Sequence, residues 1–445
     1  MSTTRRAAAL LTGLAMGAAC LVVGNLDELG DRSVSGTPMA AGPAAPAAAA
    51  SPQQSWAGET LRGMTLEQKV GQLFVTIAYG DTADTTDGRN RREFGVDTPA
   101  EIVGRYHVGG VIYFDETAGL RSPRQIAELS NGLQAAAGGS GAGVPLLIST
   151  DQENGAVVRI GPPVTALPTA GELGAAGSAR AALIAAQISG RELRAMGVNH
   201  DLAPVADVNL NPGNPVLGKR TFSSDPALAA LLTGAQVTGY QESVSATAKH
   251  FPGHGGTPVD THIGIAVIDH DRAQWERLDA PPFRAAIAAG VDSIMLGHIA
   301  LPRLDPSGLP ATLSPVLAQD LLRGELGFDG VVITDSLRMK GVRAVQPDDR
   351  IAVSALAAGA DQLLMPADLD LAYRSVLDAV RAGELTEARV DDSVRRILEL
   401  KWRRGLVADP MVDVAAVDSV VGSPANRELA FRLTDRRLST SRGNR

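Results

Sequence analysis

The stretch KHFPGHGGTPVDTH, residues 249–262, holds three of the chain's seven histidines together with a lysine and an aspartate. Its glycines and prolines exclude a regular helix, so these titratable groups share a loop. Three readings fit. His250, His254, Asp260 and His262 are all metal-ligand types, but their spacing matches no zinc pattern and no HExxH helix is present. A loop with solvent-facing histidines is the second reading. The third is acid/base catalysis, because only Thr261 separates Asp260 from His262. In a tight turn that carboxylate can accept from one imidazole nitrogen, fix the tautomer and leave the other nitrogen for a substrate. Imidazole titrates near neutrality, which suits giving and then recovering a proton. The flanking glycines permit the loop to move over a bound molecule.

Other polar residues close short apolar runs. Asp151 follows LLIST, His250 ends SATAKH, His298 ends IMLGH and Asp335 follows VVIT. One polar residue after a strand is ordinarily a cap or turn former. Several at matching strand ends point to one shared site.

The elements that would position them are strands at LFVTI, GGVIYF, PLLIST, VNHDLAPVADV, SATAKH, DSIMLGHI, GVVITDS and DQLLMPA. Segments able to form helices separate them. In MTLEQKVGQL, Thr65 and Gln68 have capping-box spacing. In LSPVLAQDLLRGELGFDG, Ser314 is an N-cap with Pro315 behind it; Leu317, Leu321 and Leu322 share a face, and Gly327 lies past the end. Strand–helix–strand spacing implies parallel pairing, because parallel neighbours need a crossover. Eight such units predict a (β/α)8 TIM-type barrel forming a single catalytic domain over residues 56–408. A doubly wound sheet is the runner-up, disfavoured because no glycine-rich dinucleotide fingerprint follows the first strands.

At 445 residues and 44% apolar, the chain can bury a large core without disulfides. A net charge of -8 argues against a nucleic-acid partner. The single cysteine, Cys20, lies in an N-terminal segment with Arg5 and Arg6 ahead of an apolar run. Residues 1–26 therefore read as a signal peptide, a lipoprotein signal with Cys20 as the acylated residue, or an uncleaved anchor. Residues 27–55, rich in Ala and Pro, read as a disordered linker. Residues 409–445 read as a C-terminal helix packed on the barrel and a tail. The pattern predicts an exported protein, extracellular or held at the cell envelope, with membrane anchoring through the N-terminus as an option.

The loop 249–262 resembles the signature loop of glycoside hydrolase family 3 β-N-acetylglucosaminidases of the peptidoglycan-recycling type. MTLEQKVGQL, STDQENGAVVR, GNPVLGKRTFSSDP, PATLSP and ELGFDGVVITDSLRM resemble further landmarks of that family in collinear order, from about residue 62 to 406. The resemblance implies Asp335 as catalytic nucleophile, His262 as general acid/base and Asp260 as its orienting partner. It implies Asp151, Arg159, Arg220, Lys249 and His250 as residues holding the terminal sugar. His254 is read as structural, and His298 either lines the site or packs beneath it. The chain departs from the family's EGGRVQR in reading ENGAVVR, with Asn154 and Ala156 in place of glycine and arginine, and Ser336 stands where an acidic residue is common.

The implied reaction is hydrolysis, with retention, of terminal β-linked N-acetylglucosamine through a covalent glycosyl-aspartate, without metal or cofactor. Peptidoglycan fragments carrying N-acetylglucosamine on muramic acid are the implied substrates. A phosphorylase is the first alternative, since an imidazole base does not repel phosphate as a carboxylate would. An exo-β-glucosidase on the same fold is the second, and an inactive cell-wall sugar-binding protein the third.

Overall fold

The computed structural model describes residues 51–433 apart from 115, 118, 140 and 141. The N-terminal segment with Cys20, most of the expected linker and the last twelve residues of the chain lie outside the described residues.

Among the described residues ten strands form two sheets. They are β1 Phe74–Thr76, β2 Gly110–Tyr113, β3 Leu147–Thr150, β4 His200–Asp201, β5 Ser245–Phe251, β6 Ala266–Val267, β7 Ser293–Leu296, β8 Ile299–Ala300, β9 Val331–Thr334 and β10 Leu363–Leu364. Eight pair in the order β10-β1-β2-β3-β4-β5-β7-β9, all parallel. A parallel bridge between Ile333 and Gln362 brings the two ends of that order together, so the sheet is a nearly closed barrel. All eight strand runs read from sequence supply a barrel strand. Strands enclosed between a filled interior and a coat of helices lose water from both faces, and every residue of β1, β2, β3, β5, β7 and β9 is buried. The small second sheet pairs β6 with β8 beside the mouth.

Ser314 caps the following helix as expected, its Oγ accepting from the Leu317 N–H at 3.0 Å, and Leu317, Leu321 and Leu322 are buried. The helix Val316–Glu325 is wound in the wider π form rather than as an α-helix, a difference that spacing alone does not reveal. The linker expectation is corrected at its end: residues 52–55 are helical. Ser51 and Gln54 form a reciprocal capping box, and Pro52 occupies the first helical position of Pro52–Gly63. That helix packs on Glu387–Arg403, with the Trp56 and Trp402 rings 5.6 Å apart.

The strands' N-terminal ends are held by buried acids. Asp292, just before β7, pairs with Arg403 at 2.8 Å and Arg404 at 2.6 Å. Asp361, just before β10, pairs with Arg323, with Arg389 at 3.6 Å and with Arg396 at 3.4 Å. The C-terminal helix Pro424–Arg432 is attached through Glu192, whose Oε1 accepts from the Gly422 N–H at 3.0 Å and from Asn426 Nδ2 at 2.8 Å.

Candidate active site

At the opposite ends of the strands, a cavity of about 190 Å³ is lined by Asp151, Arg159, Arg220, Lys249, His250, His262 and Asp335, among others. These come from the ends of β3, β5 and β9 and from the loops beyond β3, β4 and β5, the face where a parallel barrel gathers residues distant in sequence. A larger surface groove of about 670 Å³, near Pro162 and Phe431, contains none of them. Volume alone therefore does not locate the chemistry.

Lys249 is buried and stands between two carboxylates. Its Nζ lies 2.7 Å from Asp151 Oδ1 and 2.7 Å from Glu153 Oε1. Arg220 grips Glu153 bidentately, with Nε and Nη2 each 2.7 Å from a carboxylate oxygen. Burial works to raise the Glu153 pKa, but Lys249 and Arg220 outweigh it and hold the group at about 2. Burial likewise works against the Lys249 ammonium, and Asp151 and Glu153 prevail and raise its pKa. Arg159 Nη2 lies 3.8 Å from Asp151 Oδ2, and its guanidinium stacks 4.7 Å from the Phe114 ring centroid. The result is an ion-paired wall, three cations to two carboxylates, that can present ammonium, guanidinium and carboxylate groups to the hydroxyls of a polar ligand.

His250 lines the cavity from the end of β5, and its Nδ1 is 2.7 Å from Asp207 Oδ2. Asp207 Oδ1 also accepts from the main-chain N–H groups of His250, at 3.3 Å, and His254, at 2.7 Å. His254 too lines the cavity. Its Nε2 is buried without a partner among the described residues, and burial lowers its pKa. The loop must run close to its neighbours here: a Cβ on Gly255 would overlap the Val208 carbonyl oxygen.

Asp335 closes β9, and its Oδ1 accepts from the Ser336 N–H at 2.7 Å. Burial would raise its pKa, but His250, His298, the Ser336 N–H and Lys249 together hold it below the ordinary carboxylate value. His298 packs beneath the site rather than lining it. It is fully buried, with Nδ1 2.8 Å from Thr312 Oγ1 and Nε2 2.9 Å from the Ser336 carbonyl oxygen.

Asp260 and His262 meet as the spacing suggests. His262 Nδ1 lies 2.7 Å from Asp260 Oδ1, and the same oxygen accepts from the His262 N–H at 2.8 Å. The Asp260 pKa is lowered: burial opposes, and the His262 main-chain N–H and imidazole overcome it. The His262 side chain is 64% exposed, so its ring stands at the rim of the cavity. Among the described residues no group of three or more His, Cys, Asp or Glu side chains could hold a metal ion. Of the residues expected to act in catalysis or to hold the sugar, all but Asp260 line this one cavity, and Asp260 reaches it through His262.

Two residues are missing from the sequence-based set. Glu153 lies two positions after Asp151 in DQE, a spacing that could have flagged it. Asp207 sits in the run read as the fourth strand. In the structure β4 ends at Asp201, and Asp207 belongs to the loop beyond it, the position where site residues fall.

The family model described as "Glycosyl hydrolase family 3 N terminal domain" matches residues 65–400. The "Beta-hexosaminidase A" of Pseudoalteromonas piscicida is 34% identical, over 75% of this chain and 59% of its own length. The "Beta-N-acetylglucosaminidase/beta-glucosidase" of Cellulomonas fimi is 34% identical, over 83% of this chain and 63% of its own. The chain thus spans about three fifths of the length of these curated relatives. A solved glycoside hydrolase family 3 β-N-acetylglucosaminidase from Paenibacillus sp. str. FPU-7 superposes with a TM-score of 0.77 at 42% identity, covering 84% of this chain and 69% of that one.

Proposed function

The chain belongs to glycosyl hydrolase family 3, and from that premise we propose that it is a retaining exo-β-N-acetylglucosaminidase. One observation carries the reading: an ionised buried carboxylate, Asp335, and an imidazole braced by a carboxylate, His262, face one small cavity. A cavity of about 190 Å³ suits one terminal ring rather than the interior of a chain, which supports exo action. Lys249, Asp151, Arg159, Arg220 and His250 hold that ring.

Asp335 attacks C1 while the C1–O bond to the aglycone breaks, through a transition state with oxocarbenium character. The Asp335 carboxylate is suited to this because its surroundings keep it ionised. The Asp260 carboxylate engages His262 Nδ1, so the proton on Nε2 passes to the departing oxygen. A glycosyl ester on Asp335 and a neutral imidazole result. That neutral imidazole then accepts a proton from the water that cleaves the ester. Asp335 is released and the configuration at C1 is retained.

The substrates proposed are peptidoglycan fragments ending in N-acetylglucosamine, met outside the cytoplasm if the N-terminal segment directs export. An exo-β-glucosidase is the second reading, favoured by the double activity in the name of the Cellulomonas fimi relative. The test is release of 4-nitrophenol from the β-N-acetylglucosaminide and the β-glucoside by wild type and Asp335→Ala, with and without phosphate. Preference for the acetamido sugar, loss in Asp335→Ala and free N-acetylglucosamine as product are expected. Sugar 1-phosphate as the main product would make the protein a phosphorylase, and no turnover of either glycoside would make it a binder.

A further inference from the structure

We infer that Gly341 is a positioning residue that fixes the reach of His262, by seating the loop that carries it on the segment that follows Asp335. The inference rests on the reading of His262 as the proton donor. From Asp335 the chain runs directly into the short helix Lys340–Arg343, so Gly341 belongs to the segment that carries the carboxylate. Its N–H donates to the Thr261 carbonyl oxygen at 3.1 Å. A Cβ placed there would lie 2.8 Å from that oxygen, 2.9 Å from the Gly264 carbonyl oxygen and 3.3 Å from His298 Cβ. The two oxygens are main-chain atoms on either side of His262, and neither can yield without moving the loop.

The loop arrives at this seat as one unit. Asp260 Oδ1 accepts from the His262 N–H at 2.8 Å, and the Asp260 carbonyl oxygen accepts from Ile263 and Gly264 at 3.0 and 3.2 Å. Thr261 is buried against the seat, whereas the His262 side chain is 64% exposed and Ile263 is 72% exposed. A turn rigid within itself, held underneath and free above, transmits a shift at its base to the imidazole. Misplacing a reacting group by about 1 Å costs on the order of 100-fold in rate. The step affected is transfer of the His262 proton to the departing oxygen as the C1–O bond breaks. Attack by Asp335 on C1 needs no such transfer when the aglycone leaves readily as an anion.

The test compares kcat/KM on two N-acetyl-β-glucosaminides: the 2,4-dinitrophenyl glycoside, which departs unassisted, and chitobiose, which needs the proton. The benchmark is His262→Ala, which is expected to lose chitobiose turnover and to keep most of its dinitrophenyl glycosylation. Gly341→Ala is expected to lose roughly tenfold or more on chitobiose and less than about threefold on the dinitrophenyl glycoside, with cooperative thermal unfolding retained. Equal losses on both substrates, or no loss on chitobiose, overturn the inference while leaving the functional reading standing. Wild type inert to both, or His262→Ala indifferent to the leaving group, overturns that reading and the inference with it. Should Gly341→Ala fail to fold, Thr261→Gly keeps the carbonyl oxygen that meets Gly341 but removes the buried side chain and frees the loop's backbone at that point. The same substrate-dependent loss is then expected, and its absence overturns the inference.

Discussion

Asp207 Oδ2, from the loop beyond β4, lies 2.7 Å from His250 Nδ1 near the end of β5, and both residues are buried. One carboxylate therefore sets the imidazole tautomer and, through two main-chain N–H groups, the path of the chain from His250 to His254. Asp207→Asn keeps the size of the side chain but gives up the charged acceptor, a loss of about 1.5–3 kcal/mol for a buried hydrogen bond to a charged group. The expected result is a fall in kcat/KM of roughly 10- to 100-fold, carried mainly by KM, because the role proposed for His250 is to hold the sugar rather than to move the proton. Steady-state kinetics on the 4-nitrophenyl glycoside reads this. An unchanged KM would remove Asp207 from sugar holding.

Glu153 predicts an acid-labile site. Its folded pKa of about 2 lies below the ordinary 4.5, so the unfolded state binds more protons between those values. The stability it contributes is complete above about pH 4.5 and is lost as pH falls through about 2. Glu153→Gln should remove on the order of 3 kcal/mol at neutral pH and flatten the acid limb of the stability curve. Urea unfolding at pH 3, 4 and 7 measures both effects. A parallel offset at all three values would mean that the Glu153 carboxylate is not what titrates.

The barrel was legible because each strand is a short apolar run between helix-forming segments, and period and length suffice to find those. Ser314, Pro315 and Gly327 marked a helix by local rules, yet its π winding depends on what it packs against. The helix Pro52–Gly63 begins four residues inside the expected linker, where the alanine- and proline-rich composition masks the Ser51 cap, whose worth becomes visible once Trp56 meets Trp402. Asp260 with His262 could be paired from sequence because they are two positions apart. Asp207 with His250, 43 positions apart, could not, and neither could the meeting of Glu153 with Lys249 and Arg220. Those pairs exist only after the barrel has closed.

The ends of the strands remote from the cavity should govern stability alone. Asp361 accepts from the Val332 N–H at 3.0 Å and Ser393 Oγ at 2.7 Å while pairing with Arg323, Arg389 and Arg396. Removing it leaves three partly buried guanidinium groups without their shared anion. Asp361→Ala is expected to destabilise by about 3–5 kcal/mol. Because Asp361 precedes β10 and Asp335 follows β9, parallel neighbours place them at opposite ends of the barrel, and kcat/KM at 25 °C should not change. Denaturant unfolding beside kinetics checks this, and a fall in kcat/KM would show that the two ends are coupled.

Lys401 is fully buried, and among the described residues its Nζ finds Gln72 Oε1 at 2.7 Å and no carboxylate. Burial pushes its pKa down to about 7 from an ordinary 10.5. Between those values the unfolded state keeps a proton that the folded state has released, so stability rises with pH across that window. Below about pH 7 the ammonium is charged in both states, and the full penalty, on the order of 5 kcal/mol, applies. Lys401→Met removes the penalty but leaves Gln72 Oε1 without its donor, a loss of about 1–3 kcal/mol. The variant should therefore be more stable than wild type by roughly 2–4 kcal/mol at pH 6, with the advantage shrinking and then reversing toward pH 10. Urea unfolding of both proteins at pH 6, 8 and 10 reads the difference directly, free of every other titrating group that they share. A difference constant with pH would mean that the folded protein keeps Lys401 charged throughout.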